Sequence, residues 1–488
     1  LKLPPFSIGL LMGPLFFLVL LLWPDLFGMT PEAQVMLAVT AWIATWWITE
    51  AIPIPATSLL PLILLPLLDT MPIAEVAKAY SNKMVLLYMG GFMIAVTIEK
   101  WNLHKRIALT IIHWIGTDSK KIVLGFMVAT AFLSMWISNT ATSLMMLPIG
   151  IAVIIQLDGN EGKFRKGSSL GKSLMLGIAY AASIGGIATL IGTPTNIILA
   201  SVIKELYGFE ISFGQWMSYG FPVALFLLVI CWWYLTNIAF PSTAGLSDLS
   251  AGKSEISKQL QDLGPLSYEE KRVGLVFLLV SLAWISRSFE KVNELLPGLD
   301  DTVIALVGVL VLFVLPSSKS SEKLLDWKTA EKIPWGILIL FGGGLSLAEG
   351  FKVTGLAEWT GSQFVFLDVM AFGLFLLIIV LAVNFLTEIT SNVATASMLL
   401  PILAAVSLSM GVHPFALMFG ATMAASCAFM LPVATPPNAV VFGSGYLEIK
   451  DMMRAGFWLN VFSVLVITLI TRYILPLIWG LDLFEYPF

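Results

Sequence analysis

Charge is scarce in this chain. Its 488 residues hold 27 Lys and Arg and 31 Asp and Glu, 12% in all, against 58% hydrophobic residues. Soluble domains carry about twice that share of charge, so no soluble domain of any size fits within the sequence. The net charge of −4 says little about partners, and with no basic patch a nucleic-acid partner is not expected. Cationic side chains are missing altogether between Lys121 and Lys163, between Lys172 and Lys204, and between Lys352 and Lys450. The two cysteines, Cys231 and Cys427, lie far apart in apolar runs, which excludes a disulfide framework and a thiolate metal site. The histidines, His104, His113 and His413, show no ligand spacing and read as loop or boundary residues. Enzyme motifs are wanting too: there is no His-Glu-x-x-His and no Gly-x-Ser-x-Gly. Gly171-Lys172-Ser173 lacks the earlier glycine of a phosphate-binding loop, since Lys166 stands there. The chain is not expected to be an enzyme.

What is present is a succession of apolar runs. They predict an all-α polytopic membrane protein with about 11 transmembrane helices. Phe6 to Trp23 reads as a first span, within residues 1–32, and not as a cleaved signal. Two runs, 122–156 and 365–408, are long enough for two passes of about 20 residues, yet their middles hold polar motifs and no charged turn. Each is expected to form a re-entrant helical hairpin, tolerated in a bilayer only where protein or water surrounds the tip.

Those polar motifs are copies of one another. Ser138-Asn139-Thr140-Ala141-Thr142 returns as Ser391-Asn392-Val393-Ala394-Thr395 at an offset of 253, and Leu-Pro-Ile follows in both copies. Met89-Gly90-Gly91 matches Phe341-Gly342-Gly343, and Gly192-Thr193-Pro194-Thr195-Asn196 matches Ala434-Thr435-Pro436-Pro437-Asn438. The order is the same in both halves, and an odd number of crossings per half implies an inverted repeat. The expected division is a first repeat at 33–240, a linker at 241–272 and a second repeat at 273–488. The first holds scaffold spans 33–121, hairpin 122–156 and broken helix 174–206; the second holds scaffold spans 273–351, hairpin 365–408 and broken helix 415–447. Basic loops around Lys100 to Lys121, Lys163 to Lys172, Lys253 to Arg272 and Lys319 to Lys332 are assigned to the cytoplasm by the positive-inside rule. The N-terminus is then cytoplasmic and the C-terminus extracellular. The segment opening at His104-Lys105-Arg106 is a candidate for lying along the membrane surface.

Each motif has a physical reason to matter. A buried Ser-Asn pair costs several kcal/mol unless partnered, so both copies either pack in protein or line a hydrated cavity. Proline at 194 and 436 should break each span into half-helices near its middle, exposing N–H groups that suit anions and carbonyls that suit cations such as sodium. An anion bound here would meet no Lys or Arg, so it would need mobile cations with it; a neutral solute would not. On these grounds alone, cation-coupled anion transport and neutral-solute transport both stay open, with a passive channel behind them. Glu50 and Glu388 are intramembrane carboxylates, and such groups are functional candidates.

The sequence resembles the divalent anion/sodium symporter family of dicarboxylate and citrate transporters. The resemblance rests on Thr49-Glu50-Ala51-Ile52-Pro53, the two Ser-Asn motifs and Ala434-Thr435-Pro436-Pro437-Asn438, and covers roughly residues 33 to 480. It implies a homodimer in the plasma membrane, with an inverted repeat and an elevator mechanism. Its cargo would be succinate, malate, fumarate, 2-oxoglutarate or citrate, moved with Na+ or, in the alternative, by sodium-independent exchange. The implied substrate residues are Ser138, Asn139, Thr140, Thr193, Ser391, Asn392, Val393, Thr435 and Pro436. One implied sodium site uses Ser134, Ser138, Asn139 and Gly192, and the other Thr387, Thr390, Asn392 and Ala434, mainly through backbone carbonyls. Val393 departs from the family pattern, which has Thr there, and puts substrate preference in question.

Overall fold

Capping residues and prolines cut the apolar sequence into helices. The computed structural model describes residues 5–23, 28–115, 118–157, 168–241, 249–318, 322–363 and 371–488, and among these no strand forms. The basic residues Lys163, Arg165, Lys166 and Lys319, the linker stretch 242–248 and the start of the second long run at 365–370 lie outside the described residues. Among the described residues seven helices are long and apolar enough to cross a membrane.

Eight helices build the centre. The first long run folds as α1 (Ser119–Ser134), a short link and α2 (Asn139–Leu157). Asp118 starts α1 by accepting the Lys121 N–H at 2.9 Å. Next come α3 (Ser169–Ile187), begun by Ser168, which accepts the Gly171 N–H at 3.0 Å, and α4 (Pro194–Tyr207). Pro194 sits at the first position of α4, where its missing N–H costs nothing. The second copy gives α5 (Phe372–Leu386), α6 (Asn392–Ser409), α7 (Pro414–Ala425) and α8 (Pro436–Phe442). The breaks are unequal, which revises the expectation of two similar mid-span interruptions. The first spans 188–193, whereas the second spans 426–435 and leaves α8 with two turns.

Small residues bring α3 to the middle of this group. Gly177, Ala181, Ala182, Gly185 and Gly186 let it pack closely on α1, α2 and α8, and α3 is buried along nearly its whole length. Tyr180 on α3 donates its hydroxyl to the Phe429 carbonyl at 2.7 Å, tying α3 to the second break.

A second group of helices packs outside. Lys83–Lys100 runs parallel to Asp301–Val314: Lys83 pairs with Asp300 where both helices begin, and Lys100 with Asp326 past the end of the second. The duplicated glycines serve close packing: Gly91 lies against Ile191 of the first break, and the others pack among the outer helices. A Cβ at Gly90 would lie 2.8 Å from the Ala305 Cβ, and Gly342 and Gly343 press on Tyr80 and Ser58. Helix Tyr268–Ser286 turns Leu275, Leu278, Leu279 and Leu282 outward, the surface a lipid chain would cover.

The two groups meet at a charged junction. Glu210, in the turn after α4, pairs with Lys83 and accepts from Arg287 at 2.9 Å, while the Phe213 N–H donates to Asp301 at 2.8 Å. Burial alone would raise the Glu210 carboxyl, but hydrogen bonds and charge from Lys83 and Arg287 outweigh it and hold it below its ordinary value.

Candidate functional site

The breaks and links converge on one cavity of about 680 Å³. Twelve of the residues expected at the site line it: Ser138, Asn139, Thr140, Gly192, Thr193, Thr390, Ser391, Asn392, Val393, Ala434, Thr435 and Pro436. Two do not. Ser134 and Thr387 are fully buried behind the wall, where each touches the asparagine that leads the next helix.

That second layer is built alike in both halves. The Ser134 hydroxyl lies 2.5 Å from Asn139 Oδ1 and 2.7 Å from the Ala182 carbonyl. The Thr387 hydroxyl lies 2.7 Å from Asn392 Oδ1 and 3.0 Å from the Ala425 carbonyl. A hydroxyl has one proton to give, so each cluster crowds several oxygens around a single donor. Oxygen-rich surroundings of this kind, next to unwound backbone, suit a hard cation. Among the described residues no group of three or more His, Cys, Asp or Glu side chains forms a metal cluster, so the oxygens available are those of hydroxyls, amides and the backbone.

Facing the cavity, the same asparagines offer the opposite character. With Oδ1 engaged behind the wall, the Nδ2 groups of Asn139 and Asn392 have no partner among the described residues, nor do the hydroxyls of Ser138, Thr140, Thr193 and Ser391. These are hydrogen-bond donors matched to carboxylate oxygens, which accept only. Asn139 and Asn392 also begin α2 and α6, so helix N-termini add partial positive charge on the same side. Glu50 is the one charged side chain lining the cavity among the described residues. It ends helix Pro31–Thr49 in the left-handed region at φ 46°, which fixes it at the cavity edge.

Some of the site escapes the motif reading. Ser183, Tyr88 and Phe92 line the cavity from helices with no polar pattern, and nothing in the sequence marks them. Asn196 and Asn438 were within reach, since both motif copies carry them. Asn196 Nδ2 donates to Gly186 O at 2.9 Å and Thr189 O at 2.7 Å, and Asn438 Nδ2 to Ala428 O at 3.2 Å and Leu431 O at 3.0 Å. Each clamps the unwound segment before its own helix. His104 and His413 sit at helix boundaries as expected: His104 meets the Ile98 carbonyl, and His413 caps α7.

Comparison with known proteins bears on this arrangement. A family model described as the sodium:sulfate symporter transmembrane region matches residues 7–480. The sodium-dependent dicarboxylate transporter SdcS of Staphylococcus aureus is 48% identical over 493 residues, covering 99% of this chain and 94% of that protein. The MtrF structure of Neisseria gonorrhoeae superimposes with a TM-score of 0.59 at 12% identity, covering 96% of this chain and 95% of that one. The YdaH transporter of Alcanivorax borkumensis gives 0.57 at 12% identity, covering 83% and 88%. At that identity the two solved structures speak for the fold alone.

Proposed function

This chain belongs to the sodium:sulfate symporter family, the divalent anion/sodium symporters, and on that premise we propose that it imports a di- or tricarboxylate together with sodium ions. The observation that carries the reading is the pair of two-faced asparagines. Each turns an oxygen toward a buried hydroxyl, and an amide N–H toward a shared cavity that has no Lys or Arg on its wall among the described residues. Substrate oxygens meet donors in front and sodium meets oxygens behind, so the cations supply the positive charge the cavity lacks. The name of the Staphylococcus aureus relative points the same way. A dianion entering a negative-inside cell needs two sodium ions to neutralise it, and a third lets the potential contribute about 2.3 kcal/mol per 100 mV.

In this reading Ser138, Asn139, Thr140, Thr193, Ser391, Asn392, Val393, Thr435 and Pro436 hold substrate. Ser134, Ser138, Asn139 and Gly192 serve one sodium, and Thr387, Thr390, Asn392 and Ala434 the other. Links α1–α2 and α5–α6 are the tips of re-entrant hairpins in inverted repeats 33–240 and 273–488. The outer helices form a scaffold in a plasma-membrane homodimer, with the N-terminus in the cytoplasm and the C-terminus outside, against which the inner group travels as an elevator. Glu50 and Ile337 then belong to the cytoplasmic ends of their helices, so the cavity is the inward-facing one.

The test is uptake of labelled succinate into empty proteoliposomes under an imposed sodium gradient. Accumulation is expected with sodium and not with choline. Uptake that requires preloaded dicarboxylate and ignores sodium refutes the coupling and makes the protein an exchanger.

A further inference from the structure

Glu388 is a buried carboxylate with no place among the ligands assigned above. It stands between α5 and α6 and is 3% exposed. Its Oε1 accepts the Phe429 N–H at 2.7 Å, the Met430 N–H at 2.9 Å and Asn460 Nδ2 at 2.7 Å, and its Oε2 accepts the Leu431 N–H at 3.0 Å. All of these bonds run toward the carboxylate, and three come from consecutive peptides of the second break.

The first half does this differently. Met135 occupies the position of Glu388 at the same offset, and there α3 continues to Ile187, with the Ala188 N–H bonded to the Gly185 carbonyl at 3.0 Å. In the second half α7 stops at Ala425: the Ser426 and Cys427 N–H groups turn back to the Met423 and Ala424 carbonyls at 3.2 and 3.0 Å, and the peptides beyond, 429–431, are kept from resuming a helix by the side chain. Freed from the helix, the path ahead of α8 is pinned from several sides. Asn384 donates to the Cys427 carbonyl at 2.7 Å, Tyr180 to that of Phe429 at 2.7 Å, and the Ala434 N–H to that of Leu431 at 3.2 Å. Leu431 is thus held by Glu388 through its N–H and by Asn438 through its carbonyl, and Ala434 hangs on Leu431.

We propose that Glu388 is a positioning residue for the second cation site. It touches neither substrate nor ion; it holds 429–431 unwound, the stretch that leads to Ala434, a ligand of that site in the reading above. The two cation sites are therefore unequal, and only the second depends on a side chain remote from its ligands. The inference rests on the sodium-coupled reading above.

Glu388→Gln is the probe. Its amide oxygen can keep the partners of Oε1, but its NH2 meets the Leu431 N–H donor to donor, leaving the residue that carries Ala434 to its carbonyl bond from Asn438. The expected result is a rise of roughly tenfold in the half-saturating sodium concentration, the factor that about 1.4 kcal/mol represents. Succinate KM at saturating sodium should stay within about twofold, whereas general loosening would weaken sodium and succinate together. Unchanged sodium dependence in Glu388→Gln overturns the proposal, as does an equal loss of sodium and succinate affinity. Should that variant not fold, Asn460→Ala removes one donor to the carboxylate and the 3.3 Å bond that Asn460 Oδ1 accepts from the Phe429 N–H, and leaves the three peptide bonds to Glu388; it is expected to raise the sodium requirement more than succinate KM, and wild-type sodium dependence there refutes the assignment. Wild-type protein that ignores sodium sinks the coupling itself, a result separable from either variant's failure.

Discussion

Adjacent glycines on α3 predict two different failures. A Cβ at Gly185 would lie 2.3 Å from the Ala131 carbonyl oxygen and 2.5 Å from the Ala131 Cα, both backbone atoms of α1. A helix cannot rotate away as a side chain can, so Gly185→Ala must push α1 and α3 apart. A Cβ at Gly186 instead meets the Asn139 amide, 2.9 Å from Oδ1 and 3.0 Å from Nδ2, with the Gly192 carbonyl at 3.2 Å. The amide can give by a few tenths of an ångström, but it is the group that Ser134 orients at 2.5 Å. Overpacking costs about 1–3 kcal/mol. At Gly185 that cost falls on the fold. At Gly186 it falls on the arrangement of Asn139, where 1–3 kcal/mol corresponds to a loss of ~5- to 150-fold in cation affinity.

The assay is thermal melting of each purified variant in sodium and in choline, with sodium-dependent succinate uptake alongside. Gly185→Ala should melt lower in both salts. Gly186→Ala should melt like wild type in choline and lose the added stability that sodium binding gives by mass action. Wild-type sodium dependence in Gly186→Ala would refute the placement of Asn139 at a cation site, and wild-type melting in Gly185→Ala would refute the close approach of α1 and α3. The second half offers no shortcut by symmetry: Ala428 stands where Gly186 does, but past the end of α7, so its Cβ does not report on the helical position.

Asn139→Ala and Asn392→Ala each remove a donor and an oxygen at once, and uptake should fall by at least ~10-fold with the fold retained; near-normal succinate uptake by either, measured in proteoliposomes, contradicts the site. Val393→Thr adds a hydroxyl opposite Thr140 and should lower the KM of the preferred acid by up to ~5-fold, a single hydrogen bond's worth, as read from competition between succinate and citrate. Glu210 titrates below its ordinary value of 4.5 in the folded protein. Its contribution is fully present above that pH and is lost as pH falls through the lower folded value. Melting temperature should therefore drop on acidification, and Glu210→Gln, less stable by about 1 kcal/mol or less because the pair is partly exposed, should start from a lower melting temperature and show a smaller drop. An identical acid profile in the variant argues against the junction.

The centre of the site was legible because its chemistry is expensive in an apolar sequence. Ser-Asn twice, at a constant offset, marks where buried polarity must be repaid by partners, and both asparagines stand on the cavity. The matched glycine pairs also belong to the repeat signal, yet they mark packing: the pressure of Ala305, Tyr80 and Ser58 requires a small residue as strictly as a ligand would. Tyr88, Phe92 and Ser183 could not be read at all, since an aromatic or a serine in a buried helix has many uses and only the neighbouring breaks make these face a cavity.

The second break shows where local reading stops. Pro436 announces where α8 begins, because proline suits the first turn of a helix. Nothing in Ser426-Cys427-Ala428 announces where α7 ends. Past that boundary the helix is kept from resuming by a carboxylate about 40 residues earlier in the chain, offering better acceptors to the N–H groups of 429–431 than the preceding turn does. A helix end is a competition for N–H groups, and a distant residue can win it. The repeat predicted two equal halves, and each half does carry its asparagine, its buried hydroxyl and its clamp. Glu388 against Met135 breaks the equality, and it does so at the peptide that leads to a predicted cation ligand. The difference between the two cation sites is therefore to be sought in the backbone that presents the oxygens, more than in the oxygens themselves.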